Sequence, residues 1–518
     1  MAVFFTFALT AGSLKEQSTM SRLSIKHREQ KGIGYEKGYS SGDLFLAPIW
    51  RHDFLPFANL RFHVMNDGRF AFNGGLGLRC PMTDSCIFGL NGFYDYRSAD
   101  DLSPSQIGVG FEALTDLFDI RLNGYVPFSD DTFFKRYPAY IHGQTASYKE
   151  EASAALPVVN GELGVPFFER CNAFFLYAAA GPYYLFQRRT HGFSLGGSWG
   201  GEARLSATLS KILQVECAVT YDKIFQTTVQ GMLALRMPLG PRNLGRQGAN
   251  DVLCSLITQP IVRHEIIPIQ DPERNMPLLN PLTGKPAHFV IVNKVQDLKR
   301  AEVESKEGDI LYVDYNDGDL YSGTLTLKPK QILHSSALPF ISGGSGFLAS
   351  SPNQFPHIES VIFADNTQAA GFNIKNVTFK GKNVVLAFSE IENVVVTDAQ
   401  ADVSFTAQNS VFNSGLDLKI HDEATMTAQM IHCRAKGSAC FECFDQASCD
   451  VRLSQNTLEN FSLKLNTDAP RAQLVVFGNT FDIASIETNT QLVYDWKNNS
   501  VDPQIVELGK GRATHVAP

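Results

Sequence analysis

The stretch RFAFNGGLGLR, from Arg69 to Arg79, decides how the chain folds, because its apolar residues recur at every second position. Successive side chains of a β-strand point to opposite faces, so a period of two indicates a strand with one apolar and one polar face. The turn Asn66-Asp67-Gly68 that precedes it is typical of a hairpin. One face holds Phe70, Phe72, Gly74, Leu76 and Leu78, and the other holds Arg69, Ala71, Asn73, Gly75, Gly77 and Arg79.

The same alternation recurs in residues 118–125, 192–209 and 213–221. It is typical of two architectures: a soluble sandwich, whose apolar face is the core, and an outer-membrane barrel, whose apolar face meets lipid around a polar lumen. The segments are longer than the roughly 5–6 residues of sandwich strands and suit the ~9–11 residues of a tilted membrane strand. Length therefore favours the barrel, with ordinary β-rich packing as the alternative.

The pattern predicts an antiparallel transmembrane barrel of twelve strands, an even number as in bacterial single-chain barrels. Residues 173–186 are also assigned to a strand, although their alternation is broken. The predicted strands start near Leu44, Asn59, Arg69, Ile87, Gln106, Phe118, Tyr140, Gly161, Ala173, Gly192, Leu213 and Gln226. Lumen space is expected at Gly75, Gly77, Gly108, Gly110, Gly196 and Gly200, and aromatic girdles at Trp50, Tyr94, Tyr96, Tyr125, Tyr183 and Tyr184.

Composition supports this interpretation and excludes others. Among 518 residues no apolar run approaches the ~20 residues of a spanning helix, so a membrane form of this chain must be a closed barrel. A net charge of −8 argues against electrostatic nucleic-acid binding. At the N-terminus, VFFTFALTA is similar to the apolar part of a signal peptide but lacks a basic region before it. A degraded signal and a short disordered leader both stay open.

Specific strings in this half point to a family. NLRFHVMNDGRFAFNGGLGLR, NGFYDYR, QIGVGFEALTDLFDIRLNGYVP and YAAAGPYY occur in this order within about residues 40–240. They resemble the β-domain of inverse autotransporters of the intimin and invasin type. The resemblance implies a twelve-stranded outer-membrane barrel that delivers a C-terminal passenger to the cell surface. It also implies that the chain re-enters the barrel after the last strand and threads outward through the lumen.

The segment after residue 240 suits that role. Residues 241–250 are polar, residues 251–258 are expected to form a short helix in the lumen, and IVRHEIIPIQ, from Ile261 to Gln270, reads as an extended stretch. This last stretch resembles the linker of the family. An even strand count makes such a passage necessary, since the chain otherwise stays on the side where it started. A plain interdomain linker is the alternative.

Residues 286–500 have a different pattern of short β-rich runs separated by polar turns. An Asn recurs before an apolar position at Asn376, Asn409, Asn456 and Asn479, with Asn499 following, and the last intervals are 47, 23 and 20 residues. A repeat of 20–25 residues is typical of a solenoid whose turns bury one continuous core. We therefore predict a right-handed parallel β-helix with stacked asparagines. Immunoglobulin-like sandwiches are the alternative, but their longer strands and repeats are not seen.

The opening of this half adds a second resemblance. LLNPLTGKP, HFVIVNK and EGDILYVDYNDGDLYSGTLTLKPKQIL, within about residues 278–335, resemble the start of the pectin-lyase-like β-helices that some inverse autotransporters carry. Beyond residue 335 the β-helix prediction rests on periodicity alone.

The cysteines and acidic residues give weak chemical signals. Cys80 and Cys86 flank a short turn, and a disulfide between them is one hypothesis. Four cysteines cluster beside His432 without a recognised zinc spacing, and disulfides or buried thiols are favoured over zinc. Those four are Cys433, Cys440, Cys443 and Cys449, while Cys171, Cys217 and Cys254 are isolated.

A β-helix could carry a polysaccharide-cleaving site, which needs paired carboxylates. The nearest candidates are Asp398 with Asp402, and His421, Asp422 and Glu423. Asp314, Asp317 and Asp319 have a spacing that invites Ca²⁺, but the Glu that completes an EF-hand loop is missing. A solvated surface is the favoured interpretation of both groups. We therefore assign no catalytic, cofactor-binding or metal-binding residue and expect no cofactor.

These observations predict an all-β chain with a leader in residues 1–40, a barrel in 41–240, a lumen linker in 241–285, a β-helix in 286–500 and a tail in 501–518. The expected function is an outer-membrane inverse autotransporter that displays its passenger on the bacterial surface for adhesion, and not an enzyme. An exported polysaccharide-active enzyme and a porin-like channel are the alternatives. Expected partners are outer-membrane lipid, the barrel-assembly machinery and a host-cell or surface receptor or glycan, with no nucleic acid.

Overall fold

The alternating strands of the N-terminal half close into a barrel. In the computed structural model, twelve antiparallel strands form a ring that ends where the last strand pairs with the first, Leu239 opposite Ser21. The structure describes residues 21–47, 54–83, 85–170, 174–210, 212–239, 256, 259–342, 346–351, 354–394, 402–467, 472–508 and 512–516. The chain divides into two units, residues 1–135 with 151–274 and residues 136–150 with 275–518.

Nineteen strands precede the solenoid in the described residues. They are β1 Ser21–Glu29, β2 Tyr39–Leu46, β3 Leu55–Met65, β4 Phe70–Thr83, β5 Cys86–Arg97, β6 Ser105–Thr115, β7 Asp119–Ser129, β8 Thr132–Arg136, β9 Tyr140–His142, β10 Thr145–Ala155, β11 Val158–Arg170, β12 Phe174–Leu185, β13 Arg188–Thr190, β14 Phe193–Leu195, β15 Ser198–Leu209, β16 Leu213–Asp222, β17 Thr228–Leu239, β18 Ile269–Gln270 and β19 Glu273–Pro277. The barrel consists of β1–β7, β11, β12 and β15–β17.

The barrel turns its apolar side chains outward. This inverts the arrangement of a soluble protein and is the arrangement a lipid environment requires. Arg61, His63, Arg79 and Asp95 are buried inside it. The exposed outer side chains include Leu60, Phe62, Leu76, Leu90, Ile107, Val109, Leu122, Val126, Leu163, Leu205, Val215, Leu233 and Leu235.

Two strand assignments differ from the sequence prediction. The segment Ser21–Glu29, placed before the barrel, is its first strand, because its basic residues face inward while Leu23 and Ile25 face outward. The strand predicted near Tyr140 is not in the barrel, since residues 140–155 form a hairpin with other partners. The total of twelve is confirmed, because the barrel gains Ser21–Glu29 and loses the strand predicted near Tyr140.

The two ends of the barrel have connections of different length. At one end the strands are joined by residues 47–54, 84–85, 116–118, 171–173 and 210–212. At the other end the connections are 30–38, 66–69, 98–104, 130–157, 186–197 and 223–227, and three of them (30–38, 130–157 and 186–197) are longer than any connection at the first end. Short turns on the periplasmic side and longer loops on the outside are typical of bacterial outer-membrane barrels. We call these the short-turn end and the long-loop end.

The second unit is a parallel β-solenoid of about nine turns. Its elements are β20 Phe289–Val292, α1 Asp297–Glu304, β21 Ile310–Val313, a 3-10 turn Asn316–Gly318, β22 Leu320–Thr326, β23 Ile332–Ser335, β24 Phe340–Ser342, β25 Gly346–Leu348, β26 His357–Phe363, β27 Gln368–Ala370, β28 Asn373–Phe379, β29 Val384–Ala387 and β30 Glu390–Val394. They continue with β31 Val403–Gln408, β32 Val411–Phe412, β33 Leu416–Ile420, β34 Thr425–Ile431, β35 Arg434–Asp445, β36 Ser448–Ser454, β37 Thr457–Thr467, β38 Ala472–Phe477, β39 Thr480–Thr488, β40 Gln491–Lys497, β41 Gln504–Glu507 and β42 Arg512–His515.

Two parallel sheets of eleven and ten strands enclose one apolar core. Partners on adjacent turns are separated by 21 or 23 residues at several positions, within the predicted repeat of 20–25, and by 17 residues between Phe372 and Ser389, where the turn is shorter than predicted. A longer separation of 36 residues occurs where β24 and β25 are inserted. The strands continue past residue 500, because β41 and β42 extend the two sheets into the predicted tail. The right-handed twist and the pectin-lyase likeness stay predictions.

The asparagine stack forms along one corner of the solenoid. Asn456 and Asn479 are buried, and the side-chain oxygen of each accepts the backbone N–H of the residue one turn before it, at 2.7 and 2.8 Å. Asn499 extends the stack. The prediction was wrong for Asn376, which lies within β28 and accepts from Asn393. It was also wrong for Asn409, because Ser410 takes the corner position, where its hydroxyl oxygen accepts the N–H of Ser389.

No helix within the described ranges is long and apolar enough to cross a membrane.

Candidate functional site in the barrel lumen

The lumen of the barrel holds the segment that follows its last strand. Gln259 receives hydrogen bonds from Arg79 on β4, 2.8 Å to its carbonyl oxygen, and from Arg121 on β7, 2.6 Å to its side-chain oxygen. Later residues of the segment contact inward-facing groups on other strands around the ring. A segment that touches the inner faces of many strands of a closed barrel lies inside it. We call residues 259–270 the lumen segment.

Glu265 is the most connected residue of the lumen segment. Its carboxylate accepts from Arg61 on β3 at 2.8 Å and from the Tyr39 hydroxyl on β2 at 3.1 Å. It also pairs with Lys26 on β1, and its backbone oxygen accepts from Asn73 on β4 at 2.9 Å. Four neighbouring strands therefore hold one residue of the segment.

Arg263 binds the barrel wall through charge and aromatic contact together. Its Nη2 lies 2.5 Å from a carboxylate oxygen of Asp95, and its guanidinium stands 4.0 Å from the ring centroid of Phe93. Guanidinium groups stack favourably on aromatic faces. Gly108 makes room for this side chain, because a Cβ added there would lie 2.6 Å from Nη2 of Arg263.

His264 makes a third set of contacts with the wall. Its backbone N–H donates to the Tyr125 hydroxyl at 2.8 Å, and its ring stacks on the Tyr125 ring with centroids 5.7 Å apart. Its Nε2 is 3.2 Å from Glu202. Tyr125 and Tyr183 are buried inside the barrel, so their predicted place in an outer girdle was wrong. Trp50, another predicted girdle residue, lies outside the described residues.

At the long-loop end the segment meets the loops of the first unit. Arg97 donates to the carbonyl oxygens of Ile267 at 2.5 Å and Gly34 at 2.7 Å. The short strand β18 pairs with the end of β10, Gln270 opposite Ala154. The segment thus begins beside Arg79, which is near the short-turn end, and finishes among the long loops. Residues 241–255, where part of the linker was expected as a helix, lie outside the described residues.

Charged groups on the wall form a network that also explains why β12 does not alternate visibly. Tyr177 of β12 points inward, and its hydroxyl accepts from Arg121 at 2.6 Å and donates to Asp119 at 3.0 Å. Arg204 then connects Glu162 to Glu216. A tyrosine counts as apolar in a hydropathy pattern, although its hydroxyl can form hydrogen bonds inside the lumen. The pattern therefore does not show that Tyr177 points inward.

The cysteines do not form the sites considered from the sequence. On the strand register Cys80 lies opposite Phe88 and Cys86 opposite Thr83, and both thiols are free. In the solenoid three of the four clustered cysteines are buried in the core, while Cys440 lies on the outer face beside Glu442. Within the described ranges no group of His, Cys, Asp or Glu is arranged to hold a metal ion. Cys171 and Cys254 lie outside those ranges.

The carboxylates considered for catalysis serve other roles where they are described. Asp402 pairs with Lys382 at 2.6 Å and accepts the N–H of Thr425 at 2.8 Å. The Lys382 hydrogen bond lowers the pKa of Asp402, which opposes a role as a general acid. Asp398, its predicted partner, lies outside the described residues.

The other considered residues also lie in turns. His421 stacks on Phe444, and the backbone N–H of Asp422 donates to Asp445 at 3.3 Å. In the group considered for Ca²⁺, Asp317 is inside the 3-10 turn and the backbone oxygen of Asp314 accepts from the Tyr321 hydroxyl. These contacts stabilise turns and do not converge on one point.

Comparison with known proteins gives a family match for the first part of the barrel. Residues 15–159 match the family described as inverse autotransporter, beta-domain. This confirms the resemblance drawn from the sequence motifs, and together with the closed barrel and its apolar outer face it assigns the chain to the outer membrane as an anchor for a β-solenoid passenger. The β-domain of that family is a secretion and anchor domain rather than an enzyme.

Solved structures similar to the chain are also outer-membrane barrels. The beta domain of the Bordetella autotransporter BrkA is 12% identical, with 42% of this chain and 98% of that chain covered and a TM-score of 0.22. The translocator domain of the autotransporter NalP from Neisseria meningitidis is 12% identical, covering 44% and 90%, with a TM-score of 0.20. The KdgM porin is 10% identical, covering 42% and 99%, with a TM-score of 0.26. No curated protein sequence matches the chain.

Sequence reasoning located the lumen segment but missed the residues that hold it. Lys26 and Arg61 were available as inward-facing basic residues, yet their partner Glu265 is 239 and 204 positions away. The adjacent Arg263, His264 and Glu265 in IVRHEIIPIQ, a polar run between apolar residues, are a signal that could have pointed to them.

Proposed function

We propose that this protein exports its own C-terminal solenoid through the barrel and displays it on the bacterial surface, where the solenoid acts in adhesion. The observation that carries the proposal is the path of the lumen segment, from Gln259 near the short-turn end to Gln270 among the long loops. In bacterial barrels the longer loops are extracellular. The chain that follows residue 270 would therefore leave on the outer side.

The proposed mechanism has three steps. The barrel inserts into the outer membrane, the lumen segment occupies its interior, and the solenoid folds outside. Each turn of a solenoid buries its core against the turn before it. Folding outside would therefore favour outward movement of the chain, because a folded turn cannot pass back through a barrel that the lumen segment already fills.

The proposed partners follow from the surfaces of the two units. Outer-membrane lipid would contact the exposed apolar side chains of the barrel, and the barrel-assembly machinery would insert it. A receptor or glycan on a host or neighbouring cell would bind the solenoid. Nucleic acid is not a proposed partner, because the chain carries a net charge of −8.

The two alternatives have less support. A porin-like channel needs an open lumen, whereas Arg263 and Glu265 cross this one and are bound to its wall. A polysaccharide-cleaving enzyme needs two converging carboxylates, and Asp402 is paired with Lys382 instead. Adhesion needs only an exposed, stable surface, so it is the function we propose for the passenger.

Protease treatment of intact cells tests the display. Cells producing the full chain with a C-terminal epitope would lose the epitope, while a heat-modifiable barrel fragment survives. If the epitope is cut only after the outer membrane is permeabilised, the passenger faces inward and the proposal fails. Adhesion is tested separately, by counting the cells that bind a host-cell layer before and after the same protease treatment. Equal counts would argue against adhesion and leave display intact.

A further inference from the structure

A hairpin from the barrel half of the sequence belongs to the solenoid unit. Residues 136–150 lie between the barrel strands β7 and β11, yet they group with residues 275–518. The hairpin consists of β9 and the first part of β10, paired antiparallel with Thr145 opposite His142. We call residues 136–150 the cap hairpin.

Backbone hydrogen bonds join the cap hairpin to the first turns of the solenoid. The N–H of Phe289 donates to Gln144 at 2.8 Å, the N–H of Leu278 to Ala146 at 2.9 Å, and the N–H of Ala139 to Phe347 at 2.6 Å. Phe289 begins β20, the first strand of the eleven-stranded sheet. The cap hairpin therefore occupies the edge of that sheet, where unpaired backbone groups would otherwise invite pairing with another chain.

The cap hairpin also supplies part of an apolar core. Ala139, Ala146 and Tyr148 are buried together with side chains from the first solenoid turns. Tyr148 is only 3% exposed, and a Cβ added at Gly346 would lie 2.7 Å from its ring. The remaining buried members of this core are Leu278, Ala287, Phe289, Ile310, Tyr312, Ile332, Phe340 and Leu348.

A solenoid needs such a surface at its beginning. A single turn cannot bury its apolar face alone, so terminal turns of repeat proteins require a cap. Residues 275–292 follow four residues after the lumen segment and would be the first part of the passenger to emerge. A hairpin anchored between two barrel strands is present before them.

We propose that the cap hairpin is a folding template for the passenger, on which residues 275–292 add the first turn and from which the later turns follow in order. The order of emergence rests on the proposed export. The template itself rests on the contacts of the cap hairpin with Leu278, Phe289 and Phe347 and does not depend on which side of the membrane the solenoid occupies.

The test uses the purified full chain refolded from denaturant into detergent micelles. Tyr148→Ala removes the largest buried side chain of the cap hairpin, and Tyr140→Ala is the matched control, because Tyr140 is in the same hairpin but 52% exposed. Barrel folding is followed by heat-modifiable mobility, and solenoid folding by the appearance of a protease-resistant passenger. Tyr148→Ala is expected to slow passenger folding at least about tenfold while the barrel and the control are unchanged.

A second variant and a second measurement test whether Tyr148→Ala slows the passenger only because it damages the hairpin itself. Ala139→Pro removes the N–H that Phe347 accepts without changing Tyr148, and it should slow the passenger in the same way. Pulsed hydrogen exchange of the unsubstituted chain should show amides of β20 and β21 protected before those of β38 and β40. Passenger rates within twofold of the unsubstituted chain in both variants, or protection of β38 and β40 first, would overturn the template. Because refolding in micelles has no inside or outside, either result leaves the test of display independent.

Discussion

Glu265 and Arg61 form an ion pair of 2.8 Å inside the barrel although 204 positions separate them in the sequence. The pair joins the segment that follows the last strand to a strand near the start of the ring. Arg61 is fully buried, and its guanidinium is also 3.4 Å from Asp43. The barrel wall is therefore built to hold a particular chain within it rather than to remain open to small solutes.

Glu265→Gln is expected to destabilise the closed state of the lumen. It removes the charge that faces Arg61 and Lys26, and leaving buried cations without their partner typically costs about 3–5 kcal/mol. The midpoint of thermal unfolding of the barrel, followed by heat-modifiable mobility in detergent, should fall. Glu36→Gln, at an exposed position of a loop, is the control and should leave the midpoint unchanged. An equal midpoint for Glu265→Gln would contradict the stabilising role given to its ion pairs with Arg61 and Lys26.

Gly108→Leu is expected to displace Arg263 from the wall. The added side chain would occupy the space of the guanidinium, and overpacking of this kind costs about 1–3 kcal/mol. Gly92→Leu is the matched control, because no heavy atom lies within 4 Å of a Cβ built there. In planar bilayers the full chain and the control should conduct little, and Gly108→Leu should open more often. Equal conductance of the two variants would contradict the role given to Arg263.

The sequence predicted the number of barrel strands and their apolar face better than the contacts made by the side chains inside the barrel. Strand periodicity in residues 69–79 shows which face is apolar, and this face points outward as expected. The sequence does not show which way a side chain points when an aromatic residue acts as a polar group. Tyr177 and Tyr183 point inward because their hydroxyls form hydrogen bonds in the lumen. Ser21–Glu29 was assigned to the leader because it is basic, and the ion pair of Lys26 with the distant Glu265 is not visible in the sequence. Long-range partners of this kind leave no local pattern in the sequence.

The solenoid shows a similar division. The interval between Asn456 and Asn479 predicted the length of a turn, because stacked side chains must recur once per turn. The same rule failed at Asn409, since the hydroxyl oxygen of the next residue, Ser410, accepts the N–H from the preceding turn instead. The cap hairpin could not be predicted at all, because its partners begin more than a hundred residues later.

Asn479→Ala is expected to destabilise the solenoid by at least about 2 kcal/mol. Its side chain accepts the N–H of Asn456 and donates to Leu453 and Asn499, so its loss leaves buried polar groups unpaired. Chemical unfolding of the full chain, followed by protease resistance of the passenger, measures the change. Gln473→Ala, at an exposed position of β38, is the control. A loss no larger than that of the control would contradict the stack as a stabilising element.

Solenoid stability should fall in acid because of Glu442. Hydrogen bonding to Lys464 and Lys419 lowers the pKa of Glu442 below its ordinary value near 4.5. A carboxylate with a depressed folded-state pKa stabilises above its ordinary pKa and loses that stabilisation as pH falls through the folded-state pKa. The contribution should be small, because both lysines are exposed and solvent screens their pairs with Glu442.

Unfolding of the passenger between pH 3 and 6 measures this effect. Glu442→Gln should weaken the decline with acid, and Glu392→Gln, an exposed carboxylate on β30, should leave it unchanged. Parallel pH curves for Glu442→Gln and the unsubstituted chain would refute the assignment.

The most direct test of the central claim labels one cysteine at each side of the membrane. Leu117→Cys lies in the short turn between β6 and β7, and Val303→Cys lies in α1 of the solenoid, with the native side chains 73% and 74% exposed. Intact cells producing each full-length variant are treated with a membrane-impermeant maleimide, and the unsubstituted chain gives the background of native thiols. We expect labelling of Val303→Cys on intact cells and of Leu117→Cys only after permeabilisation. Labelling in the opposite pattern would contradict passage of the chain through the barrel to the cell surface.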